Sequence, residues 1–322
     1  MRYWTMNDPS IAQPKEQSFL SAVIYVHNAE FYIGTFLASV IEALEAHFEH
    51  TEIILVNDAS EDNSLDVIRE TGKNARTSSI SVVNMSYFHG LELSMDAGVD
   101  MAIGDFVLEF DYPLLDFDPD VIMKVYLKCL DGFDIVSASP NKKSRLSSSL
   151  FYYVFDQFSN NNRMTTESFR ILSRRVINRI SSVNKSIYYR KAVYTSAGLK
   201  CCNLVYQPTN NVIIHQDKKD KHFRLRLAVD SLILFTDIGY RFSITMTFLM
   251  MIASIIMIAY TIVVYFAIHP VAGWTTTILF LSVGLFGLFG ILTIVIKYLQ
   301  LLVDMVYKRK HYSFEDIEKI TK

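Results

Sequence analysis

The sequence predicts an α/β domain, a Rossmann-like and mostly parallel sheet flanked by helices, followed by an amphipathic interface helix and two transmembrane helices. Short apolar runs alternate with segments of helical periodicity over the first part of the chain, and the stretch from Ser243 to Ile296 contains no Asp, Glu, Lys or Arg. With 322 residues, the chain is long enough for one sizeable domain and a smaller module.

Five apolar runs rich in β-branched residues predict the strands of the sheet. Near-continuous apolar strands separated by helices are typical of a largely parallel sheet covered on both faces. In such a sheet, ligands bind beyond the carboxyl ends of the strands, where Asp58 and Asp111 stand. The predicted strands are 19–26, 52–56, 80–83, 106–110 and 134–137, and the predicted helices are 31–48, 62–71, 89–103 and 117–130.

The chain becomes less regular after these elements, over residues 141–222, where one helix is predicted at 172–182. Apolar and charged residues then interleave over 222–242, which favours an amphipathic helix in a membrane interface over an ordinary packing helix. We therefore expect a flexible leader at 1–17, the α/β domain at 18–221 and the interface helix at 222–242.

The uncharged stretch predicts two membrane crossings, near 244–266 and 275–298, within a membrane segment at 243–302. Each crossing needs about 20 apolar residues, and a turn with Pro270 and Trp274 separates the two. A buried hairpin in a soluble core is the alternative, but a soluble core helix seldom runs this long without a charged face.

Basic residues flank the uncharged stretch on both sides, whereas its turn has none. The positive-inside rule therefore predicts that the large domain and both termini are cytoplasmic, at the cell inner membrane, and that 303–322 is a charged, helical tail. The net charge of −2 gives no basic field, so no nucleic-acid partner is expected. The spacing of Cys129, Cys201 and Cys202 matches no metal site, which predicts free thiols.

Four motifs follow one another in a fixed order: VHNAE, EIILVNDAS-ED, DAGVDMAIGDFVLEFDYPLLDFDP and ESFRILSRRV. Their order resembles that of the family 2 glycosyltransferases of GT-A fold, of the polyprenyl-phosphate sugar transferase type that includes dolichol-phosphate mannose synthase. The resemblance covers residues 18–312, although several single motifs are eroded. It implies a GT-A sheet and an enzyme that moves a sugar from a nucleotide-sugar, most often a UDP-sugar, to a polyprenyl phosphate.

The resemblance assigns the nucleotide to the loops after the second and third strands. Asp58 stands where the family has its nucleotide-recognising Asp, and the alternative is a turn Asp that caps the next helix. Ser60 lies in the same turn and can cap helix 62–71, while Gly90 matches the family's glycine. The segment before Gly90 lacks the family's basic residue, and His89 is expected to be a half-exposed loop residue.

Asp111 matches the first Asp of the family's DxD-type element, which holds Mg2+ or Mn2+ on the donor's diphosphate. The second Asp is absent, because the sequence continues with Tyr112 and Pro113. Either Asp111 binds the metal with help from Glu109 or Asp116 and waters, or the dependence on metal is weakened. The remaining alternative is a loop Asp that only forms the turn.

The segment from Glu167 to Arg170 resembles the family's Asp-Phe-Arg segment, with Ser168 in place of Asp. The resemblance makes Glu167 the candidate base and Arg170 the residue expected to meet a phosphate. A phosphate acceptor is already ionised near neutral pH, so positioning matters more than a strong base. Lys218 and Lys219 match a mobile loop over the donor diphosphate, and attraction to anionic headgroups is the alternative.

Two function hypotheses follow from the sequence. The first is an inverting glycosyltransferase at the cytoplasmic membrane face. The second is a catalytically weak or inactive homologue that acts as a membrane scaffold, since the motifs are eroded. Small-solute transport is disfavoured because the predicted crossings carry no ionisable residue. The resemblance implies assembly through the membrane helices, so a homo-oligomer is a further expectation. Three glycines mark one close-packing face of the second predicted crossing, and each could equally face lipid; they are Gly284, Gly287 and Gly290.

Overall fold

The structure is a computed structural model, and it describes residues 15–141, 167–183, 190–196, 198–209, 273–307 and 312–321, with a few single positions between 242 and 256. The predicted interface helix and the lysine loop with Lys218 and Lys219 lie outside the described residues, as does most of the predicted leader. Those predictions, and the predicted domain boundaries, stay predictions.

Eight strands are present among the described residues, and they form one sheet. They are β1 (Leu20–Val26), β2 (Thr51–Asn57), β3 (Ser79–Met85), β4 (Phe106–Phe110), β5 (Ile135–Pro140), β6 (Phe169–Ser173), β7 (Cys201–Tyr206) and β8 (Phe314–Lys319). The strand order is β7-β5-β6-β4-β1-β2-β3-β8. The centre is parallel, because β1 pairs in parallel with β2 and β4, and β2 pairs in parallel with β3. The mostly parallel α/β sheet is thus confirmed, with antiparallel pairs at β6 and β8.

The helices that connect these strands agree with the predicted ones over the first half of the chain. The described helices are α1 (Glu30–His47), α2 (Ser64–Gly72), α3 (Leu91–Met101), α4 (Asp120–Leu130), α5 (Arg174–Val183), α6 (Arg190–Ser196) and α7 (Gly273–Tyr307). The prediction of a helix over 172–182 is wrong at its start, because β6 occupies Phe169–Ser173. Sequence pattern missed this strand because a charged residue, Arg170, lies buried within it.

Two apolar clusters pack on opposite faces of the sheet and hold it between helices. On one face the rings of Phe36, Phe110 and Phe117 meet edge-on or stacked. On the other face α3 lies directly on the sheet, since a side chain at Gly98 would overlap Val23 of β1. Close packing of α3 fixes the direction in which its first turn points.

The chain end forms an edge strand instead of the predicted helix. Strand β8 runs antiparallel to β3, from the pair Ser81–Lys319 to the pair Met85–Phe314. The reason is that β3 would otherwise present an unpaired edge, and its backbone groups give β8 a ladder that a solvated helix would lack. An Arg69–Glu318 ion pair at 2.9 Å adds to this docking.

Among the described residues, no helix is both long enough and apolar enough to cross a membrane. The two crossings therefore stay predictions. The three cysteines are free, as predicted, and burial raises the pKa of the Cys129 thiol to about 11.

Candidate functional site

Two groups of polar residues share one edge of the sheet. Asp58 follows β2 and Asp111 follows β4, and both strands run parallel to β1 between them. The two carboxylates therefore lie at the carboxyl edge, where the sequence placed them. Tyr25 of β1 connects the groups: its hydroxyl donates to Asp58 Oδ2 at 3.0 Å, and its ring meets the Tyr112 ring edge-on at 6.5 Å.

Asp58 is fully buried and is held by neutral donors. The backbone N–H of His89 donates to Oδ1 at 2.7 Å, and the backbone N–H of Gly90 donates to Oδ2 at 2.8 Å. Gly90 has φ of 82°, a conformation that favours glycine. Asp58 therefore fixes the loop that leads into α3, whatever else it binds.

The loop after β2 is held in an unusual backbone conformation. Ala59 has φ of 51°, and Asn28, in the neighbouring loop, has φ of 47°. Strained residues of this kind cluster at functional sites. Ser60 joins the two loops, because its Oγ accepts the Asn28 N–H at 3.1 Å. No side-chain bond from Ser60 caps the next helix, which begins at Ser64 instead, so that part of the prediction is wrong.

The prediction that His89 is half exposed is also wrong, since its side chain is 1% exposed. Its ring stacks on Tyr87 with centroids 4.0 Å apart, and its Nδ1 lies 2.5 Å from the Tyr87 carbonyl oxygen. No local pattern indicates this burial, because the residue that completes the environment of His89, Ser313, is far away in the chain.

The second group surrounds Asp111, and Arg170 is the first of its two main partners. Arg170 Nη2 donates to Asp111 Oδ2 at 2.7 Å, and its Nη1 donates to Glu109 Oε2 at 2.8 Å. Its Nε donates to Glu167 Oε2, also at 2.8 Å. Glu109 and Arg170 are register partners of β4 and β6, so the sheet itself brings the opposite charges together. The structure thus joins three predicted site residues.

Arg190 is the partner that sequence reasoning missed. Its Nη2 donates to Asp111 Oδ1 at 2.7 Å and its Nε donates to Glu92 Oε2 at 3.0 Å. Its Nη1 lies 2.8 Å from Glu109 Oε2, although without the angle of a hydrogen bond. The Tyr194 hydroxyl donates to Glu109 Oε1 at 2.7 Å. No sequence motif identifies α6, and the basic residues of its first turn are typical of an ordinary solvated helix end.

Burial and charge compete in this cluster. Burial alone would raise the pKa of the Asp111 carboxyl, but the charges of Arg170, Arg190 and Lys191 outweigh burial and hold that pKa well below its usual range. The Arg190 guanidinium shows the reverse balance: burial lowers its pKa, but the surrounding carboxylates raise it well above the usual range. Asp111 and Arg190 are therefore both charged near neutral pH.

The residues at Asp111 do not fit a divalent metal in this arrangement. A metal needs carboxylate oxygens to neutralise it, but each Asp111 oxygen already accepts a guanidinium N–H at 2.7 Å. Glu109 is engaged by the same guanidinium groups, and Asp116 Oδ1 accepts a tyrosine hydroxyl at 2.7 Å. No group of three or more His, Cys, Asp or Glu residues within the described ranges could hold a metal ion.

Ser168, which replaces the family's Asp, lies in a separate small network. The Tyr206 hydroxyl lies 2.6 Å from Ser168 Oγ and donates to Asp116 Oδ1 at 2.7 Å. On the segment before β6, the carboxylate that pairs with Arg170 is that of Glu167, and its side chain is 15% exposed. This partial exposure would let Glu167 face a ligand, unlike Glu109.

A sequence profile described as "Glycosyl transferase family 2" matches residues 21–180. This interval includes Asp58, Asp111 and Arg170 but ends before Arg190. The chain is 29% identical over 194 residues to an uncharacterised glycosyltransferase of Synechocystis, which covers 56% of this chain and 58% of that protein. It is 28% identical over 190 residues to a prophage bactoprenol glucosyl transferase homologue of Escherichia coli, which covers 56% of this chain and 60% of that protein.

The chain thus spans less than two thirds of the length of these two relatives. Among solved structures, glucosyl-3-phosphoglycerate synthase of Mycobacterium tuberculosis, in complex with Mn2+, UDP-glucose and phosphoglyceric acid, superposes with a TM-score of 0.50 at 14% identity. The superposition covers 67% of this chain and 79% of that one. At this identity the similarity shows a shared GT-A-like fold.

Proposed function

Because the chain belongs to the family 2 glycosyltransferases, we propose that it transfers a sugar from a nucleotide-sugar, in particular a UDP-sugar, to a polyprenyl phosphate at the cytoplasmic face of a membrane. One observation carries the proposal. The Asp58 loop and the Asp111–Arg170 pair stand side by side at the carboxyl edge of the sheet, within the region that matches the family.

The donor's nucleotide would lie against the loops after β2 and β3. Asp58, Ser60 and Gly90 shape these loops, and the Tyr87 ring beside them is 59% exposed. An exposed aromatic ring is a surface on which a base can stack. The diphosphate would then extend toward Asp111, two strands away across β1, with Lys218 and Lys219 proposed to close over it.

The proposed reaction is a single inverting displacement. A phosphate oxygen of the lipid attacks the anomeric carbon, forming a new C–O bond, while the bond between that carbon and the diphosphate oxygen breaks. The nucleoside diphosphate leaves with the bonding electrons. The attacking phosphate is already ionised, so no strong base is required, and orientation provides the acceleration.

Arg170 and Glu167 are proposed to orient the acceptor. Arg170 is buried and fully charged, and Glu167 holds its Nε at 2.8 Å. A planar guanidinium can bind a phosphate through two parallel hydrogen bonds. Glu167 would thus act mainly by aiming Arg170, and a role as proton acceptor is secondary for a phosphate.

Membrane attachment explains how such an enzyme meets a lipid. The relative from Escherichia coli is named a bactoprenol glucosyl transferase homologue, which supports a polyprenyl acceptor. The stretch from Ser243 to Ile296 has no charged residue, and α7 exposes many large apolar side chains, among them Leu281, Leu288, Phe289 and Leu299. A lipid phase would cover those side chains, with the large domain and both chain ends on the cytoplasmic side.

We propose a homo-oligomer that assembles through the glycines of α7. A side chain at Gly287 would overlap Met250 of the same chain, so this glycine serves packing within the chain. An added side chain at Gly284 or Gly290 would meet no described atom within 4 Å. These two positions leave room for a helix of a second copy.

The test is a transfer assay with the full-length protein in lipid nanodiscs. Radiolabelled UDP-sugars and undecaprenyl phosphate are supplied, and the label in the lipid extract is counted with added Mn2+ or with excess chelator. Wild type should transfer one of the sugars. Arg170→Gln should abolish transfer, whereas Arg175→Gln, a matched change at a side chain that is 79% exposed, should leave it intact.

The second candidate is a membrane scaffold with little activity. It is favoured by the internal pairing of Asp111, which leaves neither carboxylate oxygen without a cationic partner. Wild type that transfers no sugar of the panel, with or without Mn2+, would establish this candidate and overturn the transferase proposal. Full transfer in excess chelator would show that no metal is needed, in agreement with the arginine pairs at Asp111.

A further inference from the structure

The last strand of the chain lies beside the loop that holds Asp58, and we propose that it positions this loop for the nucleotide through His89. The inference rests on the proposed donor site. Strand β8 lies outside the region that matches the family profile, which ends at residue 180. The match therefore assigns it no part in the reaction.

Strand β8 is fixed to the sheet along its whole length. The Ser86 N–H donates to the Ser313 carbonyl at 3.1 Å, and the Ile320 N–H donates to the Ile80 carbonyl at 2.9 Å. These bonds lie at the two ends of the strand. A segment held at both ends can keep a neighbouring loop in place without moving itself.

His89 receives a hydrogen bond from this strand. The Ser313 N–H donates to His89 Nε2 at 3.2 Å. A backbone N–H can only donate, so Nε2 accepts and the ring proton resides on Nδ1. Nδ1 donates that proton to the Tyr87 carbonyl at 2.5 Å. The two bonds define one tautomer and one orientation for a ring that is 1% exposed.

The position of His89 determines how Asp58 is held. The His89 N–H and the next N–H, of Gly90, reach the two oxygens of the Asp58 carboxylate at 2.7 and 2.8 Å. The two ring bonds anchor the backbone of residue 89, and loss of that anchor would free both amides, because they belong to the same and the adjacent residue. The strand therefore acts on Asp58 through one side chain and two backbone groups.

A second contact from the same segment reaches the helix that follows the loop. The Tyr312 hydroxyl donates to Asp100 Oδ2 in the last turn of α3 at 2.9 Å. Helix α3 starts directly after Gly90, so residues 312–313 hold both the loop, through His89, and the far end of the helix that the loop enters. His89 is in this sense a positioning residue, and its side chain has no contact with the reacting atoms.

The segment before β8 also lies close in the chain to helix α7. Five residue steps separate Tyr307, the end of α7, from Tyr312, and such a segment spans at most about 18 Å. The donor loop is thus tied to the end of α7, the helix that contains the second part of the uncharged stretch. Anything that shifts this helix relative to the sheet would be felt at His89.

The experiment compares full-length wild type with His89→Leu, His89→Gln and Ser313→Pro in nanodiscs. Leucine keeps the volume of the ring but removes its acceptor and donor, whereas glutamine keeps a carbonyl acceptor and an N–H donor. Proline removes the Ser313 N–H while keeping the carbonyl that accepts from Ser86. Glu318→Gln is the matched control, because it breaks the Arg69 ion pair at the far end of the strand.

Two readouts are taken: amide hydrogen exchange of residues 86–91, and the dissociation constant for UDP. We expect faster exchange and about a five- to tenfold rise in the dissociation constant for His89→Leu and Ser313→Pro, as for a lost buried hydrogen bond. His89→Gln should recover most of the affinity, and Glu318→Gln should change neither readout. Thermal unfolding of each variant separates a local change from a global loss of stability.

Unchanged exchange in both His89→Leu and Ser313→Pro would overturn the proposal, since the strand would then not order the loop. Faster exchange with unchanged UDP affinity would overturn the link to the nucleotide. Wild type that binds no UDP would count against the proposed donor, while the exchange readout, which needs no nucleotide, would still decide whether the strand orders the loop.

Discussion

The two carboxylates at the sheet edge are both buried, but they are held in opposite ways. Asp58 accepts from two backbone N–H groups and a tyrosine hydroxyl, all of them neutral. Asp111 accepts from two guanidinium groups, whose charges it balances together with neighbouring glutamates. Neutral donors constrain geometry, whereas guanidinium groups also determine charge, so one site is stabilised by shape and the other by electrostatics.

Because of this difference, a substitution at Asp58 and a substitution at Asp111 should have different consequences. A carboxylate held by backbone amides can be replaced only at the cost of the loop that supplies those amides. A carboxylate in an ion cluster can be replaced only at the cost of buried cations that lose their partner. The experiments below test this contrast, beginning with the change that should be felt most.

Removing Arg190 should be the most damaging change. Arg190→Met would leave Asp111, Glu109 and Glu92 buried with one cationic partner fewer, and breaking a buried ion pair costs about 3–5 kcal/mol. The measurement is the free energy of unfolding of the full-length protein, from urea titration followed by tryptophan fluorescence and circular dichroism.

The control is Arg175→Met, since the Arg175 side chain is 79% exposed and an ion pair with a solvated partner contributes about 0–1 kcal/mol. An equal loss of unfolding free energy in the two variants would show that the Asp111 cluster stabilises the fold no more than the Arg175 pair does. Such a result would remove the contrast between the two carboxylates.

Replacing Asp58 should have an intermediate effect. Asp58→Ala removes the acceptor for two buried N–H groups, and a lost hydrogen bond to a charged group costs about 1.5–3 kcal/mol. We expect faster hydrogen exchange over residues 86–91 and loss of UDP binding, with the ion cluster intact. Ser60→Ala, which removes a single loop contact, should do less. Undiminished UDP affinity in Asp58→Ala would exclude Asp58 from the nucleotide site.

The smallest effect should appear only in acid. Burial is outweighed by the three cations around Asp111, so its folded pKa lies below the unfolded value of about 3.9. Its contribution to stability is therefore complete above about pH 4 and is lost as pH falls below that value toward the folded pKa. The unfolding temperature of wild type should fall between pH 5 and pH 2 more steeply than that of Asp111→Asn.

Asp134 and Glu45 also have lowered pKa values, because hydrogen bonds, and for Asp134 the Arg175 charge, outweigh burial. The Asn variant should therefore keep part of the acid sensitivity, and only the difference between the two profiles reports on Asp111. Identical profiles would mean that the Asp111 carboxylate is no more acidic in the folded protein than in the unfolded chain.

The sequence was informative where structure is local. The apolar runs placed the five parallel-type strands and the position of Asp58 and Asp111 after two of them, because a strand and its end are contiguous in the chain. Pattern could not reveal Arg190, which meets Asp111 across 79 positions. It could not reveal the burial of His89, which depends on Ser313 across 224 positions. A charged residue reads as solvated until its distant partner is known.

The chain end shows the same limit. Residues 314–319 have two apolar side chains, three positions apart, among four charged ones, as an exposed helix end or an edge strand can, and only the free edge of β3 decides between the two. Beta propensity depends on the neighbour that a strand finds. The sequence shows that the motif at Asp111 departs from the family pattern, and the arginine pairs around Asp111 show what accompanies this departure in the fold.

The late place of β8 in the chain has a consequence for biosynthesis. The other strands can assemble as soon as they are made, yet β3 must wait for its edge partner until residues 314–319 have been synthesised. Until then β3 presents free backbone groups, and an open edge recruits strands from other chains. Chains that stop short of Phe314 should therefore be prone to aggregation, and a chaperone that shields β3 during synthesis would benefit this protein more than one whose sheet closes early.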